Sequence, residues 1–202
     1  MTVTTCKFTF QEYWSYTSET GERYELVDGN LVAMGSGNGL HGAIAEFLTD
    51  QFKALVAQGG HPWTAKDRRI GIRPPRSTRW DTARVPDVVV LPVEQWAAMR
   101  SREAIIELTD PPPLLVVEVV SESTICTDYR AKHSEYSVLE IPEYWIVDPL
   151  KQQVTVCQLQ ADRYNEATFT QGTSVRSALF PAITLTVNAI LTATSDQSGG
   201  CS

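Results

Sequence analysis

The sequence predicts an α/β fold, a mixed central β-sheet flanked by helices, and three observations lead to it. Two apolar runs, Val85–Leu91 and Leu114–Val120, are continuous rather than alternating, as strands covered on both faces are. Between Asn38 and Gln58 the residues Leu40, Ile44, Phe47, Leu48, Phe52, Leu55 and Val56 recur at helical spacing. Strand and helix patterns then interleave, with hairpin patterns at either end, which favours a mixed sheet over a single-type layer. At 202 residues, 43% hydrophobic and 20% charged, the chain is long enough for one domain with a substantial core. Residues 1–191 are expected to form that domain, and 192–202 a disordered polar tail.

Phe8 to Tyr16 predicts a short helix that closes the domain. Tyr24–Val27 and Asn30–Met34, joined by Asp28-Gly29, predict an N-terminal β-hairpin, because that pair supplies the positive φ angles of a two-residue turn. After a glycine loop, Gly35–Gly39, Asn38 caps the long helix and Gly59-Gly60 ends it. Trp63–Ile72 is expected as one strand or hairpin arm, broken at Pro74-Pro75. A polar connection with a short helix near Val93–Met99 joins the two apolar runs, and Pro111-Pro112-Pro113 introduces the second. Thr127 is expected to cap a helix running to about Leu139. Glu143–Val147 reads as a strand ended by Asp148-Pro149, and Val154–Leu159 with Tyr164–Thr170 as an antiparallel pair. Ile183–Leu191 is a last apolar piece, and no internal repeat is present.

The informative positions are the charges inside this apolar pattern. Glu118 sits in Leu114-Leu115-Val116-Val117-Glu118-Val119-Val120, and an unpaired charge there costs several kcal/mol or more. It has to be neutralised, paired, or held on a metal. Asp87 opens the other run, Val85-Pro86-Asp87-Val88-Val89-Val90-Leu91. Two acids on two core segments point to a divalent cation site. On the helix after Ser121, Tyr129, Lys132, Tyr136 and Leu139 share one face, so Lys132 lies in an apolar-aromatic stripe turned toward the sheet. Taken alone, Lys132 would snorkel to water or pair with Asp128; taken with Glu118 and Asp87, it belongs to the same site.

Other classes find little support. No apolar stretch approaches the ~20 residues of a membrane span, and no signal peptide is evident. Cys6, Cys126, Cys157 and Cys201 are far apart without a CxxC, which argues against disulfide and zinc-ribbon scaffolds and for a reduced, cytoplasmic setting. The glycine loop lacks a following Gly-Lys-Ser/Thr, Ser121 and Ser123 stand in no Gly-x-Ser-x-Gly, and His41, His61 and His133 are scattered, so nucleotide-binding, serine-hydrolase and zinc-hydrolase readings are disfavoured. The net charge of −7 argues against broad nucleic-acid binding. Yet residues 66–84 carry seven basic side chains (Lys66, Arg68, Arg69, Arg73, Arg76, Arg79 and Arg84) against Asp67 and Asp81. That strip either steers a polyanion to one face or is a solvated, proline-interrupted loop. Glu143 and the Tyr144-Trp145 pair read as a solvated strand end and core aromatics.

In order along the chain stand Glu25 within Tyr-Glu-Leu-Val-Asp-Gly, His41 after the loop, Pro86-Asp87, Val117-Glu118-Val119-Val120-Ser121-Glu122-Ser123-Thr124, Asp128-Tyr129-Arg130-Ala131-Lys132, and Pro142-Glu143-Tyr144-Trp145-Ile146-Val147-Asp148-Pro149. As an ordered set they resemble the Uma2 family (DUF820), within the PD-(D/E)XK nuclease superfamily, over the whole chain except the tail. The resemblance implies a restriction-endonuclease-like core and metal-dependent hydrolysis of DNA phosphodiester bonds. The superfamily lysine usually stands two residues after the strand glutamate. Val120 occupies that position here, and the family's lysine corresponds to Lys132 on the following helix.

Asp87, Glu118 and Lys132 are then the expected catalytic core, with Glu25 and His41 in support. Mg²⁺ or Mn²⁺ is the expected cofactor, since Mg²⁺ takes oxygen ligands and only one or two protein carboxylates. Asp87 and Glu118 supply these, and the resemblance adds the Val119 carbonyl. Arg68, Arg69 and Arg73 are the candidate DNA contacts, with no membrane partner. Many superfamily members dimerise, which makes a homodimer a further expectation. Two competing readings stay open: an inactive nucleic-acid-binding or protein-interaction module on the same fold, favoured by the acidic net charge, and a glycosidase using Glu25 and Glu118 as an acid pair.

Overall fold

The computed structural model describes residues 7–16, 22–34, 38–75 and 81–193. Helix α1 (Phe10–Ser15) opens with a capping box, the Thr9 hydroxyl accepting from the Glu12 amide while Glu12 accepts from the Thr9 amide. It is shorter than the predicted span and packs Phe10 and Tyr13 against Leu26, Ala83 and Ile105. Strands β1 (Tyr24–Val27) and β2 (Asn30–Ala33) form the expected hairpin. Asp28 (φ 49°) and Gly29 (φ 77°) make its turn, and a Cβ at Gly29 would lie 2.9 Å from Lys7 Cβ, so only glycine fits there.

Helix α2 (Gly39–Gly59) runs as the spacing predicts, with the Asn38 side chain accepting from the His41 amide and Gly60 ending it at φ 62°. The Trp63–Ile72 segment is two strands rather than one. Strand β3 (Trp63–Asp67) breaks off at Arg68, which takes a positive φ of 39°, and β4 (Gly71–Ile72) joins a different sheet. Strand β5 (Val88–Pro92) leads into α3 (Val93–Ala98). The two-residue β6 (Ile105–Ile106), with no signal in the pattern, pairs parallel with β4.

Strand β7 (Leu115–Val119) is followed by a helix that begins earlier than Thr127, with residues 125 and 126 already helical. Thr127–Lys132 forms a π-helical turn that continues into α4 (His133–Val138), so Thr127 lies inside the helix and is not its cap. Strands β8 (Glu143–Asp148), β9 (Gln153–Gln160) and β10 (Arg163–Thr170), then α5 (Val187–Leu191), complete the chain. Of the expected tail, Thr192 and Ala193 are described, Ala193 being buried, and the rest lies outside the described residues.

The main sheet has six strands in the order β10-β9-β8-β7-β5-β3. It is mixed, because β7 and β8 are parallel and the other neighbours antiparallel. One face, with Val88, Val90, Val117 and Trp145, packs on α2 and α5. The other, with Val89, Val116, Tyr144 and Ile146, packs on Tyr136 of α4 and on Ile70, Ile72 and Ile106. Strand alternation puts Glu118 on this second face, between Val116 and Val120. Val88 pairs with Val117, so extending that register by one residue sets Asp87 across from Glu118. The register of these two strands thus brings the acids together.

Candidate active site

Three elements deliver charge to one place. The segment before β5 is stitched to the hairpin and to β4. Leu26 and Ala83 exchange backbone hydrogen bonds of 3.0 and 2.8 Å, and Ile72 and Arg84 exchange two of 2.8 Å. These bonds turn Arg84 inward, where it is 1% exposed. Its Nε and Nη2 grip both oxygens of Glu135 at 2.7 and 2.9 Å, and its Nη1 donates to Glu25 at 2.9 Å. The Val85 amide holds the other Glu25 oxygen at 3.1 Å. Arg84 therefore leaves the basic strip and becomes an internal brace.

The π-helical turn carries Asp128 and Lys132. Lys132, 5% exposed, reaches Glu118 at 2.9 Å, Asp128 at 3.1 Å and Glu25 at 3.5 Å. The Tyr136 hydroxyl donates to the second Glu118 oxygen at 2.7 Å. The sequence treats Asp128 and Glu118 as rival partners for Lys132, whereas the helix geometry serves both.

Asp87 is held from three sides. His41 Nε2 and Arg68 Nε both lie 2.8 Å from Oδ1, and the Val119 amide donates to Oδ2 at 2.8 Å. His41 is placed by the Asn38 cap, and its Nδ1 has no hydrogen-bond partner among the described residues. Arg68 is placed by its unusual backbone, its amide donating to the Asp87 carbonyl at 3.1 Å and its own carbonyl accepting from Arg23 at 2.7 Å.

Apart from Glu135, the charged side chains of this network line one cavity of about 780 Å³, walled by the hairpin, the start of α2 and the Ser121–Lys132 segment. Asp87, Glu118, Val119, Lys132, Glu25, His41 and Arg68 are among its lining residues, while Arg69 and Arg73 are not. Arg69 is a 70% exposed side chain, 3.5 Å from Asp67. Arg73 pairs with Glu107 at 3.0 Å and lies over the Phe10 ring at 4.0 Å. Lys66 sits over Trp96, and Arg76 and Arg79 fall outside the described residues. The described residues of this basic run are therefore dispersed rather than aligned in a continuous strip. Glu143, expected in solvent, is 1% exposed and accepts from Trp145 Nε1, the Ser177 hydroxyl and the Ala178 and Leu179 amides. It anchors the segment after β10.

The electrostatics of the cavity are short of positive charge. Burial raises Glu118 well above the usual carboxylate range; Lys132 pulls it down, but Asp128, Asp87 and Glu25 push it further up. Asp128 is also raised, by burial first and then by Asp87, against the pull of Lys132 and Thr124. Lys132 moves the other way: burial opposes its charge, but Glu118, Glu25 and Asp128 outweigh burial and hold it as a firmly protonated ammonium. Asp87 is lowered, since its bonds to His41, Val119 and Arg68 more than offset burial. Glu25 is lowered against burial by Lys132, Arg84 and the Val85 amide.

A carboxylate offers about four lone-pair sites. With its described bonds counted, Asp87 keeps one of these sites and Glu118 two. Hard oxygen donors, spare lone pairs and uncompensated negative charge fit a divalent cation of the Mg²⁺ or Mn²⁺ kind. Because a proton on Glu118 competes with such an ion, Mn²⁺ affinity is expected to fall by up to about tenfold per pH unit on acidification. Calorimetry on the wild type at a series of pH values measures this, and an affinity that does not change with pH would contradict it.

Arg84, Asp128 and Glu135 are the site residues that the sequence reading did not assign. Asp128 and Glu135 carried a signal, lying four residues before and three after Lys132 on one helix. Arg84 carried only a weak one, as the last of seven basic residues.

Comparison with known proteins bears on this arrangement. A family model, Uma2, described as "Putative restriction endonuclease", matches residues 10–188. Among solved structures, the chain is similar to one described as a "putative nuclease belonging to DUF820" from Anabaena variabilis ATCC 29413. The TM-score is 0.68 at 17% identity, covering 91% of this chain and 97% of that one, a likeness of fold. A search among curated proteins found no match.

Proposed function

The chain belongs to the Uma2 family, and from that premise we propose that it is a divalent-metal-dependent endonuclease hydrolysing DNA phosphodiester bonds in the Asp87–Glu118–Lys132 cavity. One observation carries the reading. Carboxylates from two paired strands and an ammonium from the next helix share a single cavity whose acids outnumber the charges that compensate them.

Asp87 and Glu118 would hold the ion, with Val119 at the same strand end. A bound Mg²⁺ or Mn²⁺ supplies Lewis-acid stabilisation of the phosphate and a water of lowered pKa. Lys132 acts as a donor and a fixed positive charge beside the developing charge on phosphorus, because its neighbours keep it protonated and unfit to serve as a base. Glu25, locked by Arg84 and Val85, positions Lys132. His41 and Arg68 orient Asp87. In the reaction, a water oxygen bonds to phosphorus as the bond to the leaving deoxyribose oxygen breaks; the water gives up one proton to solvent, and the leaving oxygen takes one up from solvent. Arg68 at the cavity and exposed Arg69 beside it are the phosphate contacts we propose. Arg73, paired with Glu107, serves the fold. We place the protein in the cytoplasm, where the free thiols of Cys126 and Cys157 stay reduced. No described helix is long and apolar enough to cross a membrane.

Nicking of supercoiled plasmid with Mg²⁺ or Mn²⁺ tests the proposal. Wild type should nick and Asp87→Ala should not. Lys132→Met should bind Mn²⁺ at least as well as wild type, having lost a competing cation, yet cleave about 10²- to 10³-fold more slowly. Metal-dependent gel shifts without cleavage, weakened by neutralising Arg68 and Arg69, would support the inactive binding module suggested by the net charge of −7.

A further inference from the structure

On the outer part of the sheet, remote in chemistry from the carboxylate cavity, a second set of ligand atoms converges. Cys157 on β9 pairs directly with Glu166 on β10, so both side chains leave the same face of the sheet. That face is covered by α4, whose first residue is His133. One ring nitrogen of His133, the Cys157 sulfur and a Glu166 oxygen lie within 4.8 Å of one another, with His133 Nε2 3.0 Å from Glu166 Oε1. The Tyr164 ring meets the imidazole edge-on at 5.1 Å and fixes its plane.

We propose that His133, Cys157 and Glu166 form a second metal site, selective for Zn²⁺ or a similar borderline ion over Mg²⁺. Thiolate and imidazole are the donors that such ions prefer and that Mg²⁺ does not. Ligand atoms around tetrahedral zinc lie roughly 3.3–3.6 Å apart, from bonds of ~2.0–2.3 Å, so the trio need close by little more than about 1 Å. On binding, the Cys157 S–H bond breaks, its proton goes to solvent, and the sulfur bonds the metal. A thiolate and a carboxylate then cancel the two positive charges, which makes a neutral centre where Cys157 is fully buried. The half-exposed Glu166 leaves a route for the ion and a fourth position for water. Ligation would tie α4, which follows Lys132 directly and carries Glu135 and Tyr136, to the β9–β10 pair. The site is thus a structural clamp on the helix that supplies the ammonium.

Titration of the full chain with Co²⁺, read by absorption, tests this, because a thiolate ligand gives a near-ultraviolet charge-transfer band that a carboxylate site cannot. The band is expected in wild type and in Asp87→Ala, absent in Cys157→Ala, and shifted to weaker binding by at least about tenfold in Glu166→Gln and His133→Asn. Zn²⁺ should displace the cobalt, and Mg²⁺ should not. Glu166 is exposed, so Glu166→Gln keeps the test valid should Cys157→Ala fold poorly. No band in wild type, or a band undiminished in both Cys157→Ala and Glu166→Gln, overturns the proposal. Loss of nicking in Asp87→Ala with the band intact separates this site from the carboxylate cavity.

Discussion

Glu118→Gln is expected to abolish metal-dependent DNA cleavage while leaving the fold as stable as wild type, or more stable. Glutamine keeps the shape of the side chain but only one acceptor oxygen, which either the Tyr136 hydroxyl, now 2.7 Å from Glu118, or the Lys132 ammonium, now 2.9 Å from it, can use. It removes one negative charge from the buried acids Glu25, Glu118 and Asp128, which share Lys132. The Glu118 proton is held more tightly in the folded state than in the unfolded chain, because burial and the surrounding carboxylates raise its pKa. Stability therefore falls as pH rises above the ordinary carboxylate range, because ionising this buried group costs stability. Glutamine lifts that cost, a gain that should vanish once acid protonates Glu118 in the wild type. Cleavage should drop about 10²- to 10⁴-fold, as an ion ligand and its charge are lost together. Urea unfolding at two pH values with a nicking assay reads both arms. A variant that unfolds more easily at neutral pH would sink the electrostatic picture of the cavity.

Arg84→Ala is expected to give the largest loss of stability. The guanidinium is 1% exposed and holds Glu135 with two bonds and Glu25 with a third. Its removal strands buried carboxylates, which costs about 3–5 kcal/mol. Arg84→Lys should rescue little, since an ammonium cannot reproduce the fork that meets both Glu135 oxygens. Neutralising the partners should rescue more. A triple variant Arg84→Met, Glu25→Gln, Glu135→Gln is expected to recover at least about half of the lost stability, because it strands no charge. It should not recover cleavage, since Glu25 no longer anchors Lys132. Equilibrium denaturation of the three proteins decides it, and a loss in Arg84→Ala of less than about 1 kcal/mol would mean that water reaches the brace.

Much of this centre is visible in the sequence because a charge in an apolar run is conspicuous. Asp87 and Glu118 stand out for that reason, and helical spacing alone points Lys132 at the sheet. What escapes are features set by tertiary contacts. Arg84 is hidden among basic neighbours, and only its bridge to β4 and that of Ala83 to the hairpin turn it inward. Glu143 lies at a strand end that the segment after β10 folds over and buries. The π-helical turn leaves no residue-type signal, so the sequence points to a helix start at Thr127, later than the observed one. Strand β6 is too short for a period, and the break at Arg68 depends on a backbone conformation whose amide donates to the Asp87 carbonyl and whose carbonyl accepts from Arg23. His133, Cys157 and Glu166 are far apart in sequence and meet only through the β9–β10 register and the docking of α4.

The claim on which the rest depends is that Asp87 and Glu118 bind one divalent cation beside Lys132. Calorimetric titration of Mn²⁺ into wild type, Asp87→Ala and Glu118→Gln tests it most directly. The account predicts a single binding event in wild type that disappears in both variants. Equal Mn²⁺ affinity in all three proteins would contradict it.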